Sequence, residues 1–184
     1  MRAALVVAHP DDESLWGAGI VLNNKAWWTV ICCSIPRIDP VRAYKFFGAC
    51  DVLRATGRLL PVVESSPDQP LRGLEMLDLN EFDWIVTHGR GPEPGYPIHH
   101  PHHKQVHEHV VKHYSHLRLW GFGQGQAYAL SPSQLEIKRA ALRCYDHALP
   151  YEGRTIPKWQ ALMHRYCEVG GYDLGVERYD SLSH

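Results

Sequence analysis

The chain is poor in the features that would assign it cheaply. Its five cysteines form no C-x-x-C pair, which excludes a cysteine-built zinc site, and their odd number argues against a disulfide framework. Cys32 and Cys33 adjoin inside an apolar run, so buried free thiols are expected. No stretch reaches the roughly 20 apolar residues of a membrane span. The N-terminal segment has neither the apolar length nor the small-residue cleavage site of a secretory signal, so a cytoplasmic location is expected. Neither sign of charge is in excess: 19 basic and 20 acidic residues leave a formal net charge of −1. That gives no electrostatic case for a nucleic-acid or membrane-surface partner. There is no internal repeat or low-complexity tract. No G-x-G-x-x-G follows the first apolar run, which disfavours dinucleotide binding. The H-E-x-x-H pattern of one zinc-protease class is missing too, since Glu108 is followed at once by His109.

What is abundant is histidine. Six of the 13 lie between His99 and His109, and histidine is the commonest metal ligand. The length suits one domain with a real core, 1–184, in which a main body over about 3–149 carries a short extension, 150–184. Apolar runs at Ala3–Val7, Trp28–Ser34, Leu59–Val63, Asp83–Thr87, Leu117–Phe122 and Ala127–Leu130 predict strands. Their low alternation suits strands buried on both faces. Helices are expected over Ser14–Leu22, Pro40–Thr56, Leu71–Leu79, His102–Tyr114 and from Pro132 to about Leu149, with Ser131 as N-cap of the last. The tail after Pro150 gives weak signals, and a short helix and coil are expected there. Strand–helix alternation at this spacing predicts an α/β fold, a mostly parallel sheet with helices on both faces. The glycine-rich stretch Gly121–Gly125 reads as a turn.

Two segments carry chemistry. The first is Ala8-His9-Pro10-Asp11-Asp12-Glu13, directly after the first predicted strand. Ligands of open α/β sheets bind beyond the carboxyl ends of the strands. A His and an Asp three apart across a strand-to-helix turn can bend back to one ion, leaving the neighbouring Asp free to act as a base. The plain alternative is a turn whose aspartates cap the next helix. The second is His99-His100-Pro101-His102-His103, which follows the Gly/Pro-rich loop 89–97. Its H-x-x-x-H pairs (His99/His103, His103/His107, His109/His113) place imidazoles on shared helix faces. A solvated histidine-rich face is the alternative. His107, His109, His113 and His116 read most simply as surface or helix-packing residues.

Together these motifs resemble those of the PIG-L (LmbE-like) family of zinc-dependent N-acetylglucosaminyl deacetylases. The resemblance covers roughly residues 3–149. It implies a Rossmann-like α/β fold and hydrolysis of an N-acetyl group from an amino-sugar conjugate. It further implies that His9, Asp12 and His103 ligate Zn2+, or another divalent transition metal. Asp11 would be the general base and His100 would stabilise the oxyanion, as an imidazolium or as a hydrogen-bond donor. Arg42 and Asp68 would contact sugar hydroxyls. Two imidazoles and one carboxylate leave zinc a net charge near +1, which suits lowering the pKa of water to about 7. The chain departs from the pattern at His102, where an acid or amide usually supports the site histidines. It also departs at Ile98, where a Tyr is usual and Tyr96 is the nearby substitute, and at Asp146-His147. An acid usual shortly after Arg42 is missing as well. Another zinc amidohydrolase on the same scaffold, and a metal- and carbohydrate-binding homologue without turnover, are the alternatives. The expected partner is a small or glycoconjugate amino-sugar substrate, and a small lid, or a lid contributed by a neighbouring subunit of a homo-oligomer, is a further expectation.

Overall fold

The computed structural model describes residues 1–64, 70–94, 96 and 98–183. Six strands make the central sheet: β1 (Arg2–Val7), β2 (Trp27–Cys32), β3 (Thr56–Leu59), β4 (Trp84–Thr87), β5 (Arg118–Ala129) and β8 (Val176–Ser181). Their spatial order is β3-β2-β1-β4-β5-β8. The first five run parallel, and β8 is antiparallel along the edge of β5. Leu5 of β1 registers with Val30 on one side and Val86 on the other, which places β1 at the centre. The chain winds outward from β1 to β3 and then returns to β4 on the other side of β1. Beyond the carboxyl ends of β1 and β4 lies the switch point where such sheets bind ligands.

The continuous apolar runs of the sequence are explained by two cores. Leu5, Val7, Val30, Cys32, Trp84 and Val86 project into one. Val6, Ala8, Ile31, Cys33 and Ile85 project into the other. Successive side chains of a strand point to opposite faces, so a strand covered on both sides must be apolar at every position. The first core is covered by α1 (Asp12–Leu15), α2 (Ala18–Asn23), α3 (Val41–Val52) and α5 (Pro132–Arg143). The second is covered by a 3-10 turn, Arg72–Met76, and by α4 (Pro101–Tyr114). A hairpin of β6 (Ala148–Tyr151) and β7 (Arg154–Pro157), then α6 (Lys158–Met163) and a π-helical turn (His164–Val169), precede β8. No helix among the described residues is long and apolar enough to cross a membrane. All five cysteines are free thiols.

Several expected boundaries are corrected. The third strand lies at Thr56–Leu59, not Leu59–Val63. As an edge strand it alternates exposed and half-buried residues, so it reads as polar, while Pro61 has no N–H to give a ladder. Beyond Leu59, Leu60 N–H still bonds to the Cys32 carbonyl and Val63 bridges to Ile35. The helix expected over Ser14–Leu22 is two helices broken at Gly17, where an added Cβ would lie 2.4 Å from Leu5 Cδ2. The late helix ends at Arg143 because Ala148–Tyr151 pairs as β6. The two last expected strands are one, β5, and Gly121–Gly125 is not a turn. Its register against β8 shifts between Phe122 and Gln126, where Gly123 and Gly125 make room for the Asp180 side chain. The tail is more than helix and coil, since it supplies β8. That strand carries little apolar signal in the sequence because its inward residues are Glu177 and Tyr179, whose polar ends meet Lys138 and the start of α2.

Candidate metal centre and active site

The β1–α1 turn is built by a strained residue. Asp11 has φ 116°, in the left-handed region that Asp tolerates better than most residues. Its backbone N–H donates to Glu13 Oε2 at 2.9 Å. Glu13 is fully buried, and its other oxygen accepts from Ser14 Oγ at 2.6 Å and Tyr145 Oη at 2.7 Å. Burial pushes the Glu13 carboxyl up to about 7, against the pull of those three donors. The last acid of the motif therefore struts the turn. The same turn brings Asp12 Oδ2 back to accept the His9 N–H at 2.9 Å.

His9, Asp12 and His103 then converge. His9 Nδ1 lies 3.3 Å from His103 Nε2 and 3.7 Å from Asp12 Oδ2, and His103 Nε2 lies 3.5 Å from Asp12 Oδ2. All three residues are buried. A tetrahedral zinc with bonds of about 2.0–2.1 Å separates its ligand atoms by about 3.3–3.4 Å. The protons of both rings are engaged elsewhere. His103 Nδ1 donates to Glu93 Oε2 at 2.9 Å, and His9 Nε2 faces Glu64 Oε2 at 3.3 Å. Burial pushes His103 down to about 4, so its ring is neutral. Two imidazole lone pairs and a carboxylate oxygen thus point at one spot with no hydrogen between them. That donor set repels itself unless a cation fills it, and it fits a divalent metal ion.

Glu93 is the anchor behind this arrangement. Its Oε1 accepts from His88 Nδ1 at 2.7 Å, and the His88 ring stacks on His103 with centroids 4.0 Å apart. His88 Nε2 in turn accepts the Ala8 N–H at 3.0 Å. Burial would raise the Glu93 carboxyl, but the hydrogen bonds from His103 and His88 hold it well below the usual carboxylate range. Glu64 is likewise held low, its burial outweighed by His102 and His9.

The cavity beside this cluster has a volume of about 190 Å3 and is lined by Asp11, Arg42, Tyr96, His100, Lys158 and Arg165 as well as the converging trio. Arg42 Nη1 donates to Asp11 Oδ2 at 2.8 Å, and Lys158 Nζ lies 3.3 Å from the same oxygen. Asp11 Oδ1 has no protein partner among the described residues. The other side of the Arg42 guanidinium faces Asp39, which also pairs with His147. His100 caps α4: its Nδ1 accepts the His102 N–H at 3.2 Å, which puts the ring proton on Nε2. Burial and the neighbouring His9 and His103 push His100 down to about 3. It is a neutral donor rather than an imidazolium.

Solved structures with this architecture were found. The N,N'-diacetylchitobiose deacetylase from Pyrococcus horikoshii is 14% identical, with a TM-score of 0.63 over 98% of this chain and 84% of its own. The zinc-inhibited form of teicoplanin deacetylase is 12% identical, with a TM-score of 0.60 over 98% of both chains. The 4-carboxy-2-hydroxymuconate hydratase from Pseudomonas putida is 15% identical, with a TM-score of 0.60 over 98% of this chain and 96% of its own. The chain has their fold. No family model and no curated protein sequence matches it. A hydratase among deacetylases shows that this architecture hosts more than one reaction, so function must be argued from the site.

The structure brings His9, Asp11, Asp12, His100, His103 and Arg42 to one cavity and sets His102 behind it, against Glu64 at 3.0 Å. Asp68 lies outside the described residues. His107 is a packing residue, its Nδ1 donating to the His88 carbonyl at 2.9 Å. Tyr151 and Trp159 line a separate cavity, and Trp120 and Tyr128 pack on each other. Sequence reasoning gave no role to Glu13, Glu64, His88, Glu93, Lys158 or Arg165. Glu13 and His88 had a local signal, since Glu13 closes the His9-to-Glu13 motif and His88 directly follows β4. Glu64 and Glu93 are single acids in loops, with no pattern around them. Lys158 and Arg165 come from the tail.

Proposed function

We propose that this protein is a zinc-dependent hydrolase that removes the N-acetyl group from an amino-sugar conjugate of N-acetylglucosamine type and releases acetate. The reading rests on one observation above all. Three proton-free ligand atoms converge at the switch point of the sheet, beside a cavity that also presents Asp11 and His100. The names of two structural neighbours, a diacetylchitobiose deacetylase and a teicoplanin deacetylase, support the substrate class. Zinc suits one carboxylate and two imidazoles, although other divalent transition ions bind such sets.

His9, Asp12 and His103 would hold the ion, which supplies Lewis acidity toward an amide carbonyl and a hydroxide-like nucleophile near neutral pH. Asp11 has both cations on Oδ2, so Oδ1 takes the proton of the attacking water. The same carboxyl then gives that proton to the departing amine. His100 Nε2–H donates to the carbonyl oxygen as negative charge develops there. One such donor is worth about 3–4 kcal/mol in the barrier. Arg42 orients Asp11 and, with Asp68, contacts sugar hydroxyls.

The test is acetate release from N-acetylglucosamine, diacetylchitobiose and larger N-acetylated glycoconjugates, with zinc and after chelation. Release should stop on chelation. Asp11→Asn should abolish turnover while zinc stays bound, and Asp12→Ala should lose the zinc. Near-normal turnover by Asp11→Asn would overturn the base assignment.

A further inference from the structure

The remote face of His9 carries its own apparatus. His9 Nε2 lies 3.0 Å from His102 Nδ1 and 3.3 Å from Glu64 Oε2, and His102 Nδ1 lies 3.0 Å from that same oxygen. His102 is 1% exposed, and the Glu64 side chain is 12% exposed. One carboxylate oxygen thus meets two ring nitrogens from separate parts of the chain. An ionised carboxylate only accepts. The assignment that satisfies this oxygen twice puts a proton on both nitrogens, Nε2–H on His9 and Nδ1–H on His102, each turned to the oxygen rather than to the other ring 3.0 Å away. That assignment leaves His9 Nδ1 as the lone pair facing Asp12 and His103. The wedge is pinned twice more. Backbone N–H of His102 is tied to His100 Nδ1, and Glu64 also accepts weakly from Ser34 Oγ at 3.4 Å. On the opposite side, Glu93 does the same for His103. Each proposed imidazole ligand is backed by its own acid.

We propose that Glu64, with His102 wedged against it, is a positioning pair that holds His9 in its ligating orientation and makes its Nδ1 a better donor. The inference rests on the metal reading above. Glu64 lines the same cavity, but among the described residues it meets the converging trio only at His9 Nε2, so it acts through His9. Outer carboxylates of this kind typically change metal affinity 10–100-fold when removed. His102 supplies what a carboxylate at its own position could not. Its Nδ1–H gives the acid reaching in from the segment after β3 a second donor, where a carboxylate would repel it.

The experiment is a zinc titration of metal-free protein against a chromogenic chelator, with Glu64→Gln and His102→Ala beside the wild type. One ion per chain is expected, with Glu64→Gln weakened about 10–100-fold. Nitrogen-15 NMR of the imidazoles reads the same claim without activity. Wild-type His102 should be the Nδ1–H tautomer, and Glu64→Gln should lose that preference. If Glu64→Gln does not fold, Glu64→Asp keeps the charge but withdraws it by one methylene, and must also weaken binding. Binding by Glu64→Gln within about twofold of wild type would overturn the proposal and leave the metal reading intact. So would two ions per wild-type chain with one lost in Glu64→Gln, because Glu64 would then be a ligand. A wild type that binds no ion would overturn both.

Discussion

Replacing Glu93 by Gln isolates the cost of unlocking the metal centre. The carboxylate is fully buried and accepts two imidazole N–H bonds, from His88 at 2.7 Å and His103 at 2.9 Å. Gln has almost the same shape but one carbonyl oxygen, so one bond survives. Its NH2 group then faces the other N–H, donor against donor. A hydrogen bond to a charged group contributes about 1.5–3 kcal/mol, and an unsatisfied buried donor costs about 1–3 kcal/mol. Because these overlap, the net loss should be about 2–4 kcal/mol. Urea denaturation of the metal-free protein measures it, and zinc affinity should fall about 10–100-fold in parallel. The pH dependence checks the cause. The carboxyl of folded Glu93 is held far below its ordinary 4.5, so its stabilisation is complete above that pH and fades as pH falls further. The gap between wild type and Glu93→Gln should therefore be full at neutral pH and narrow in acid. A variant within about 0.5 kcal/mol of wild type at neutral pH, with unchanged zinc affinity, would refute the reasoning.

Metal-free protein should lose stability as pH drops below 6.5, because burial and neighbouring imidazoles hold folded His100 near 3 and the unfolded chain takes up the proton first. Denaturation midpoints that stay flat between pH 7 and 5 would count against it. Lys138→Met should cost about 3–5 kcal/mol in a thermal or urea melt, because it strands Glu177, which is buried and paired with Lys138 Nζ. Gly89→Ala should cost about 3 kcal/mol or more, since its Cβ would sit 1.8 Å from the Phe122 carbonyl oxygen; a wild-type melting temperature would contradict the strand spacing found here.

The sequence alone determined what is local. A strand closing on His9-Pro10-Asp11-Asp12 needs only a continuous apolar run and an i,i+3 return to bring an imidazole and a carboxylate together, and the structure has that turn. Pro101 opening a helix behind His100 is local in the same way, and the helix begins there. The mostly parallel sheet was legible because strands buried on both faces must be apolar throughout. Edge elements were not, since half their residues meet water or partners: β3 reads as polar, and β8 hides Glu177 and Tyr179 against Lys138 and α2. Only the tertiary structure decided which acids stand behind the histidines. Glu64 and Glu93 are solitary residues in loops, and nothing in their neighbours distinguishes them from solvated acids. They matter because sheet order brings the ends of β1, β3 and β4 together with the start of α4. Carboxylates in such a place are fixed by distance in space, a quantity that residue spacing along the chain does not carry.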